Sequence, residues 1–301
     1  ASDVYKRQVL DPERIRCQGV KQGKERKMKK ILGAIAALAM TVGLAACGTP
    51  VSQGTANQNQ LVVGMEAGYP PFNWTQNDDS NGAVKIQGTD QYAGGYDVEI
   101  AKRVAKQLGK ELVIVKTEWD GLTPALVSGK IDAIIAGMSP TEERKATIDF
   151  TDSYYDSQLV LVVKKGSKYA NATSLADFSG AKVTAQLNTF HYSVIDQIPG
   201  VDKQTAMDNF PAMRVALQSG TIDAYVSELP EAISAQAANS DFVMVKLTDG
   251  FKASPEDTQT AVGVKKDSPL TKEINEALKT ISSEERQQIM QEAIKNQPAA
   301  E

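Results

Sequence analysis

The sequence is poor in cysteine and histidine. Only two cysteines, Cys17 and Cys47, and one histidine, His191, occur among its 301 residues. The region after Cys47 therefore contains no cysteine and must fold without disulfides. That region also lacks the clustered cysteine and histidine residues that bind zinc, so we expect no metal site and no cofactor.

The sequence also lacks an apolar run as long as the roughly 20 residues that a membrane span needs. Residues 31–46 give about 16 apolar or small residues after Lys29 and Lys30, and Met28 is a plausible initiator, so we interpret 28–46 as a signal peptide. Leu-Ala-Ala-Cys at 44–47 resembles the lipobox of bacterial lipoproteins, which predicts cleavage before Cys47 and lipidation of its thiol. Residues 1–27 are a leader of doubtful origin.

Positive charge is scarce once residues 1–46 are set aside. The remainder has 23 Lys and Arg against 33 Asp and Glu, out of 33 and 37 in the full chain. A surface with this net charge of −10 repels phosphate backbones and anionic lipids. We therefore expect no nucleic-acid partner. We expect the lipid on Cys47 to hold the protein at the outer face of the cytoplasmic membrane, as in a Gram-positive bacterium.

What the sequence does contain is a repeated segment. The segment at 125–137, ALVSGKIDAIIAG, is similar to the segment 91 residues later at 216–228, ALQSGTIDAYVSE, and the two share seven identical residues. Each copy predicts a helix that ends at Ser-Gly and then a buried strand, with Asp132 or Asp223 capping backbone donors at the turn. The period exceeds the roughly 20–50 residues of a solenoid unit, so it indicates two similar α/β lobes.

The other elements alternate between strand and helix, which predicts mainly parallel sheets. We predict strands at 61–65, 112–115 and 181–185, a helix at 98–109 with Asp97 as N-cap, and a final helix at 272–294. Residues 47–60 are polar, as expected of a flexible tether. The predicted lobes are 61–158 plus 260–301 (lobe 1) and 164–245 (lobe 2), with a hinge of two crossings at 159–163 and 246–259.

Five segments carry a resemblance to a known family. They are VGMEAGYPPFNW, GGYDVEIAKRVA, EWDGLTPALVSGKIDAIIAGMSPTEERK, AQLNTFHY and DAYVSELPEA. In this order they resemble successive segments of the extracellular amino-acid-binding proteins of ABC importers, bacterial solute-binding protein family 3, over residues 61–297. The resemblance implies the type II periplasmic-binding-protein fold, an α/β clamshell of two lobes. It also implies a monomer that passes a free L-amino acid to the permease subunits.

An amino acid needs a cation for its carboxylate and an anion for its ammonium group. Arg144 follows the first repeat and offers a bidentate fork to a carboxylate. By the resemblance, the ammonium meets the Gly137 carbonyl, the Ser139 hydroxyl and the Glu228 carboxylate, although the family more often has aspartate at 228 and glycine at 188. The predicted ligand-binding residues are Glu66, Tyr69, Phe72, Trp119, Gly137, Met138, Ser139, Arg144, Gln186, Thr189, Phe190, His191 and Glu228.

The residues around the ligand side chain leave the amino acid open. By the resemblance, Glu66 faces the far end of that side chain, and Tyr69 and Trp119 place rings against it. An anion beside two rings favours arginine, lysine or ornithine, through charge pairing and cation–π contact. An acid can also accept from a neutral amide, so glutamine is the alternative. Gln186 or His191 can complete either site.

Each assignment has a structural alternative. Arg144 can be a solvated helix charge, Glu228 a helix cap and Glu66 a cap of the following turn. The aromatic residues can belong to the core, and His191 can be structural. Two other functions are an amino-acid sensor and a dehydratase of the same fold. No nucleophile and base accompany the single histidine, so we predict a binding protein and not an enzyme.

Overall fold

The computed structural model describes residues 59–298. The strands are β1 (Gln60–Met65), β2 (Gly68–Tyr69), β3 (Asn73–Gln76), β4 (Val84–Lys85), β5 (Tyr92–Gly94), β6 (Glu111–Lys116), β7 (Ala133–Ile134), β8 (Asp149–Asp156), β9 (Leu159–Lys164), β10 (Lys182–Thr184), β11 (Asp202–Lys203), β12 (Ala224–Glu228), β13 (Phe242–Val245) and β14 (Gln259–Val264). The helices are α1 (Tyr96–Gln107), α2 (Trp119–Ser128), α3 (Glu142–Lys145), α4 (Phe190–Val194), α5 (Phe210–Ser219), α6 (Leu229–Ala238), α7 (Pro255–Thr258), α8 (Leu270–Lys279) and α9 (Ser283–Asn296). Short 3-10 helices cover Ser80–Gly82, Leu175–Phe178 and Ile195–Gln197.

Two five-stranded sheets share one arrangement. Their strand orders are β6-β1-β7-β14-β8 and β11-β10-β12-β9-β13. In each sheet the first three strands are parallel, and the fourth is antiparallel to both of its neighbours. Four of five strands therefore run the same way, as the prediction of mainly parallel sheets requires. We call the parts built on these sheets lobe 1 and lobe 2.

A smaller antiparallel sheet, in the order β2-β3-β5-β4, lies between β1 and α1 in the chain. Among the residues that the structure describes, no helix combines the length and apolar character of a membrane span. The predicted signal peptide, Cys47 and nearly all of the predicted tether lie outside the described residues.

The repeated segment forms the same structure in both lobes. α2 and α5 each end at a glycine in the left-handed conformation, with φ of 81° and 78°. The carboxylate of Asp132 accepts from the N–H of Val62, and that of Asp223 from the N–H of Lys182, both at 2.9 Å. Each aspartate thus binds a backbone donor, as predicted, but the donor belongs to a neighbouring strand, β1 or β10, and not to the turn itself.

The chain passes between the sheets at two adjacent places. β8 ends at Asp156 in the first sheet and β9 begins at Leu159 in the second, so residues 157 and 158 form the first crossing. The predicted crossing at 159–163 is wrong: these apolar residues pair with β12 on one side and β13 on the other, as suits the centre of a sheet. The chain returns over 246–258, and the N–H of Ser157 donates to the carbonyl of Thr258 at 2.9 Å.

The predicted role of Asp97 as an N-cap is wrong. α1 begins at Tyr96 with Gly95 as its N-cap, so Asp97 lies within the first turn. Its fully buried carboxylate accepts from the side-chain amide of Asn73 and from the hydroxyl of Tyr154, both at 2.7 Å. Burial raises the pKa of Asp97 to about 7, although both bonds favour the charged form.

The single helix predicted for 272–294 is two helices, α8 and α9. The hydroxyl of Ser282 accepts from the N–H of Glu285 at 3.1 Å and so begins α9 after a short break. The apolar spacing continues across this break, so periodicity alone did not reveal it. Serine three residues before glutamate is a standard helix-start pattern that would have placed the boundary.

Candidate functional site

A small cavity lies between lobe 1 and lobe 2, and predicted binding residues form most of its wall. The wall comprises Tyr69, Trp119, Gly137, Ser139, Arg144, Gln186, Thr189, Phe190 and His191, together with Phe210. A wider groove of about 870 Å³ shares part of this wall and is also lined by Met138. The other predicted residues, Glu66, Phe72 and Glu228, contact members of the wall. The structure therefore brings all the predicted residues together.

Arg144 reaches from lobe 1 to lobe 2. Thr141 is the N-cap of α3, and its hydroxyl accepts a hydrogen bond from the backbone N–H of Arg144 at 3.4 Å. The guanidinium of Arg144 donates to the carbonyls of Ser139, at 2.9 Å, and Asn188, at 3.1 Å. It also lies over the ring of Trp119, 5.0 Å from the centroid. Burial lowers the pKa of Arg144 to about 10, so the side chain is still a cation at neutral pH.

Asn188 is the residue of lobe 2 that accepts a hydrogen bond from Arg144. Its φ is 55°, a left-handed conformation that favours glycine and that asparagine tolerates better than most residues. Its carbonyl accepts from Arg144 and, at 3.5 Å, from the indole N–H of Trp119. Its side-chain amide donates to the carboxylate of Asp120 at 2.8 Å. Asparagine thus keeps a glycine-like backbone and adds a side-chain bond between the lobes.

Glu66 and Gln186 form a second contact between the lobes. The amide nitrogen of Gln186 donates to both carboxylate oxygens of Glu66, at 3.3 and 3.2 Å, and to the carbonyl of Asp208 at 3.0 Å. Gln186 lies on the cavity wall, and Glu66 lines a neighbouring groove. Burial raises the pKa of Glu66 to about 7, against the lowering effect of the Gln186 bond. Glu66 is therefore close to half-protonated at neutral pH.

Tyr69 is stacked on both faces. Phe72 lies 4.8 Å away by ring centroids, and Phe210 of lobe 2 lies 4.5 Å away with an interplanar angle of 10°. The edge and hydroxyl of Tyr69 are the parts of its side chain that these two rings leave uncovered, and the contact of Tyr69 with the ligand side chain stays a prediction. Burial, reinforced by the negative charge of Glu228, holds the pKa of Tyr69 well above its usual range.

Phe210 lies on the cavity wall but is not among the predicted ligand-binding residues. It is the first residue of α5, just as Trp119 is the first residue of α2. The two positions are 91 residues apart, the offset of the repeated segment. Extending the repeat towards its N-terminal side would have found Phe210 from Trp119.

Glu228 and His191 form a buried pair in lobe 2. Nε2 of His191 lies 3.2 Å from Oε1 of Glu228, and the Glu228 side chain is 1% exposed. No capping bond to α6 involves that side chain, which removes the alternative role as a helix cap. Within residues 59–298, Oε2 of Glu228 and both ring nitrogens of His191 have no hydrogen-bond partner, so the contact between Nε2 and Oε1 is a close approach without hydrogen-bond geometry. A buried carboxylate oxygen without a donor is a group that a ligand ammonium would satisfy.

Gly137 and Ser139 follow β7 at the cavity. Gly137 has a φ of 62°, and a Cβ there would lie 2.7 Å from Cε1 of Tyr69, so both conformation and space require glycine. Its N–H donates to the hydroxyl of Tyr154 at 3.1 Å. The hydroxyl of Ser139 donates to the carbonyl of Asp257 at 3.0 Å. These two bonds therefore tie the loop to Tyr154 of β8 and to Asp257 of α7.

The site unites a cation from lobe 1 with a carboxylate from lobe 2. Thr189 begins α4 beside them, and its hydroxyl donates to the carbonyl of Gln186 at 2.7 Å. Over the described part of the chain, no group of three or more His, Cys, Asp or Glu side chains is placed to hold a metal ion. The arrangement suits non-covalent binding of a small molecule that carries both charges.

Comparison with known proteins agrees with this arrangement. Residues 61–296 match the bacterial extracellular solute-binding proteins, family 3. The chain is 32% identical over 254 residues to the arginine-binding extracellular protein ArtP of Bacillus subtilis (84% of this chain, 92% of that protein). It is 31% identical over 292 residues to the ABC transporter glutamine-binding protein GlnH of the same species (90% of this chain, 100% of that protein).

A solved structure has the same fold. It is the amino acid ABC transporter substrate-binding protein AbpA of Streptococcus pneumoniae bound to L-arginine. The TM-score is 0.68 at 27% identity, with 79% of this chain and 95% of that chain covered. The shared fold confirms the two-lobed α/β clamshell predicted from the sequence.

Proposed function

Because this chain belongs to the bacterial extracellular solute-binding proteins of family 3, we propose that it captures a free amino acid between its lobes and delivers it to an ABC permease. The family binds solutes, in agreement with the prediction of a binding protein and not an enzyme. The observation that carries the proposal is that Arg144 of lobe 1 lines the cavity, while Glu228 of lobe 2 lies directly behind the wall residue His191.

The two charges suit the two ends of an amino acid backbone. Arg144 receives the carboxylate through a charge-assisted, bidentate contact. Glu228 receives the ammonium through Oε2, which has no partner among the described residues, and the Gly137 carbonyl and Ser139 hydroxyl complete that subsite. Since Arg144 belongs to lobe 1 and Glu228 to lobe 2, a bound amino acid that contacts both stabilises the closed arrangement of the lobes.

The Glu66–Gln186 pair favours a basic amino acid. The amide nitrogen of Gln186 already donates to Glu66 and Asp208, so this pair offers oxygen acceptors to a ligand. A guanidinium or ammonium group has only donors and satisfies them, whereas the carbonyl of a glutamine side chain would need a donor here. The arginine named for ArtP and AbpA supports this choice, and the glutamine named for GlnH marks the alternative.

A thermal-shift screen of the purified protein with the twenty amino acids and ornithine tests this proposal. A ligand that binds only the folded state raises the melting temperature with its concentration. We expect the largest stabilisation from arginine, lysine or ornithine. Stabilisation by glutamate or aspartate alone would contradict the preference for basic side chains. No stabilisation by any amino acid would contradict the function.

We also propose that the protein acts as a lipid-anchored monomer at the outer face of the cytoplasmic membrane of a Gram-positive bacterium. The support is the order of Lys29 and Lys30, the apolar run and Leu-Ala-Ala-Cys at 44–47, a segment outside the described residues. Cys47→Ser should give secreted protein or unprocessed precursor. Mature Cys47→Ser protein that still enters the detergent phase on partitioning would contradict the anchor.

A further inference from the structure

We infer that Tyr154 and Asp97 are positioning residues for the ammonium subsite, because they hold the backbone of Gly137 in the orientation that presents its carbonyl to the ligand. The inference rests on the proposed function, which assigns that carbonyl to the ammonium group. Neither residue lines the cavity, and both act through Gly137.

A chain of buried hydrogen bonds runs from the core of lobe 1 to Gly137. The N–H of Gly137 donates to the hydroxyl of Tyr154 at 3.1 Å, and that hydroxyl donates to Oδ1 of Asp97 at 2.7 Å. The side-chain amide of Asn73 donates to Oδ2 of Asp97 at 2.7 Å. Asp97, Tyr154 and Asn73 are each 0% exposed, so water cannot replace these partners without a rearrangement.

The direction of the bonds explains why two residues are needed. Asp97 accepts the hydroxyl proton of Tyr154, which leaves the lone pairs of that oxygen to accept from Gly137. Without Asp97, the hydroxyl would be free to rotate. In its charged form, Asp97 also strengthens the bond that Tyr154 makes and polarises the tyrosine oxygen. The carboxylate therefore sets the orientation of the tyrosine hydroxyl, and the hydroxyl sets that of the glycine.

The Gly137 carbonyl lies between two fixed points of the backbone. On one side is the N–H of Gly137 itself, bonded to Tyr154. On the other, the carbonyl of Met138 accepts from the N–H of Ala261 in β14 at 3.0 Å. Gly137 has no Cβ and a φ of 62°, so its side chain cannot lock the residue. The Tyr154 bond supplies the constraint that glycine lacks.

The same cluster contains a matched control. The hydroxyl of Tyr96 donates to the backbone carbonyl of Tyr154 at 2.8 Å, and Tyr96 is also 0% exposed. Tyr96→Phe therefore removes a buried tyrosine hydroxyl from lobe 1, as Tyr154→Phe does. It leaves the bonds among Gly137, Tyr154 and Asp97 in place.

The test is titration calorimetry of the full chain with L-arginine and with 5-guanidinopentanoate, which is arginine without its ammonium group. For Tyr154→Phe we expect an affinity for arginine about tenfold below wild type, as for a buried donor left unpaired, and an unchanged affinity for the analogue. Tyr96→Phe should leave both affinities unchanged. If the screen selects another amino acid, that amino acid and its des-amino analogue replace this pair.

If Tyr154→Phe lowered the affinities for arginine and for the analogue equally, the inference would be overturned, because a general loss of packing weakens the binding of both ligands alike. An unchanged arginine affinity would overturn it as well. If Tyr154→Phe does not fold, Asp97→Ala, which removes the acceptor, is titrated instead, and a loss confined to arginine is again required. Wild-type protein that binds no amino acid would overturn the proposed function itself, a result distinguishable from all of these.

Discussion

The two copies of the repeated segment form nearly the same scaffold and carry opposite chemistry. In each lobe an aromatic residue begins the helix, Trp119 in α2 and Phe210 in α5, and both lie on the cavity wall. In each lobe an aspartate joins the turn to a neighbouring strand. The copies diverge at the end of the strand. Lobe 1 continues into the short helix α3, which carries Arg144, and lobe 2 ends β12 at Glu228.

The difference shows where function resides in a duplicated fold. The helix, turn and strand determine position, through the glycine turn and the aspartate bond that both copies share. The residues just beyond the strand determine charge, and they can differ without disturbing the scaffold. On the proposed function the ligand needs one charge of each sign, and the two divergent copies lead to Arg144 and Glu228, which supply them.

The largest expected effect comes from removing either charge. Arg144→Ala and Glu228→Gln should each weaken binding of arginine by a few hundredfold, since leaving a buried charge without its partner costs about 3–5 kcal/mol. Lys145→Ala is the control for Arg144, because Lys145 is also on α3 but pairs with Glu142. Unchanged affinity in Arg144→Ala would show that the lobe 1 charge has another role.

A second effect, of about two orders of magnitude, concerns pH. In the free protein, burial raises the pKa of Glu66 to about 7, and a cationic ligand tail favours its charged form. Binding of arginine below this pH must therefore release a proton. The affinity should fall about tenfold for each pH unit below the pKa and level off above it.

Calorimetry of arginine binding between pH 5 and 8 measures this dependence, in two buffers of different ionisation enthalpy. Glu66→Gln should flatten the profile. His191→Asn should preserve the pH dependence of the affinity. The two variants together therefore distinguish a contribution of the Glu66 carboxyl group from one of the His191 imidazole. A wild-type profile without slope would mean that Glu66 is not linked to binding.

A smaller effect tests whether the two scaffolds are equivalent. Asp132→Ala and Asp223→Ala each remove a carboxylate that accepts a backbone N–H at 2.9 Å. Each should lower the free energy of unfolding by about 1–2 kcal/mol. Urea denaturation of both variants measures the losses. A loss in one lobe without a comparable loss in the other would break the equivalence.

The smallest effect is expected at Asn188. Asn188→Gly keeps the left-handed backbone and removes the exposed bond to Asp120. The affinity for the amino acid should fall about three- to fivefold, through faster dissociation, since exposed polar pairs contribute little. Asp120→Ala should have the same effect, and the double variant no more than either alone. Additive losses would mean that the two residues do not act as a pair.

The sequence was sufficient where local pattern and structure coincide. The Ser-Gly-x-Ile-Asp-Ala repeat predicted two lobes, and the motif around Arg144 predicted residues that the fold gathers in one cavity. The sequence was insufficient where the structure depends on which strands pair or which buried side chains meet. Residues 159–163 are apolar whether they cross between lobes or pair within a sheet. Asp97 has the pattern of a helix cap, but its bonds to Asn73 and Tyr154 depend on tertiary packing.

The most direct test of the account compares L-arginine with agmatine, which has the same guanidinium tail and amine but no carboxylate. Titration calorimetry of the wild-type protein and of Arg144→Ala gives four affinities. If Arg144 of lobe 1 holds the carboxylate while Glu228 of lobe 2 holds the ammonium, wild type should bind arginine at least about a hundredfold more tightly than agmatine. The difference should disappear in Arg144→Ala. Equal binding of arginine and agmatine by the wild-type protein would contradict the central claim.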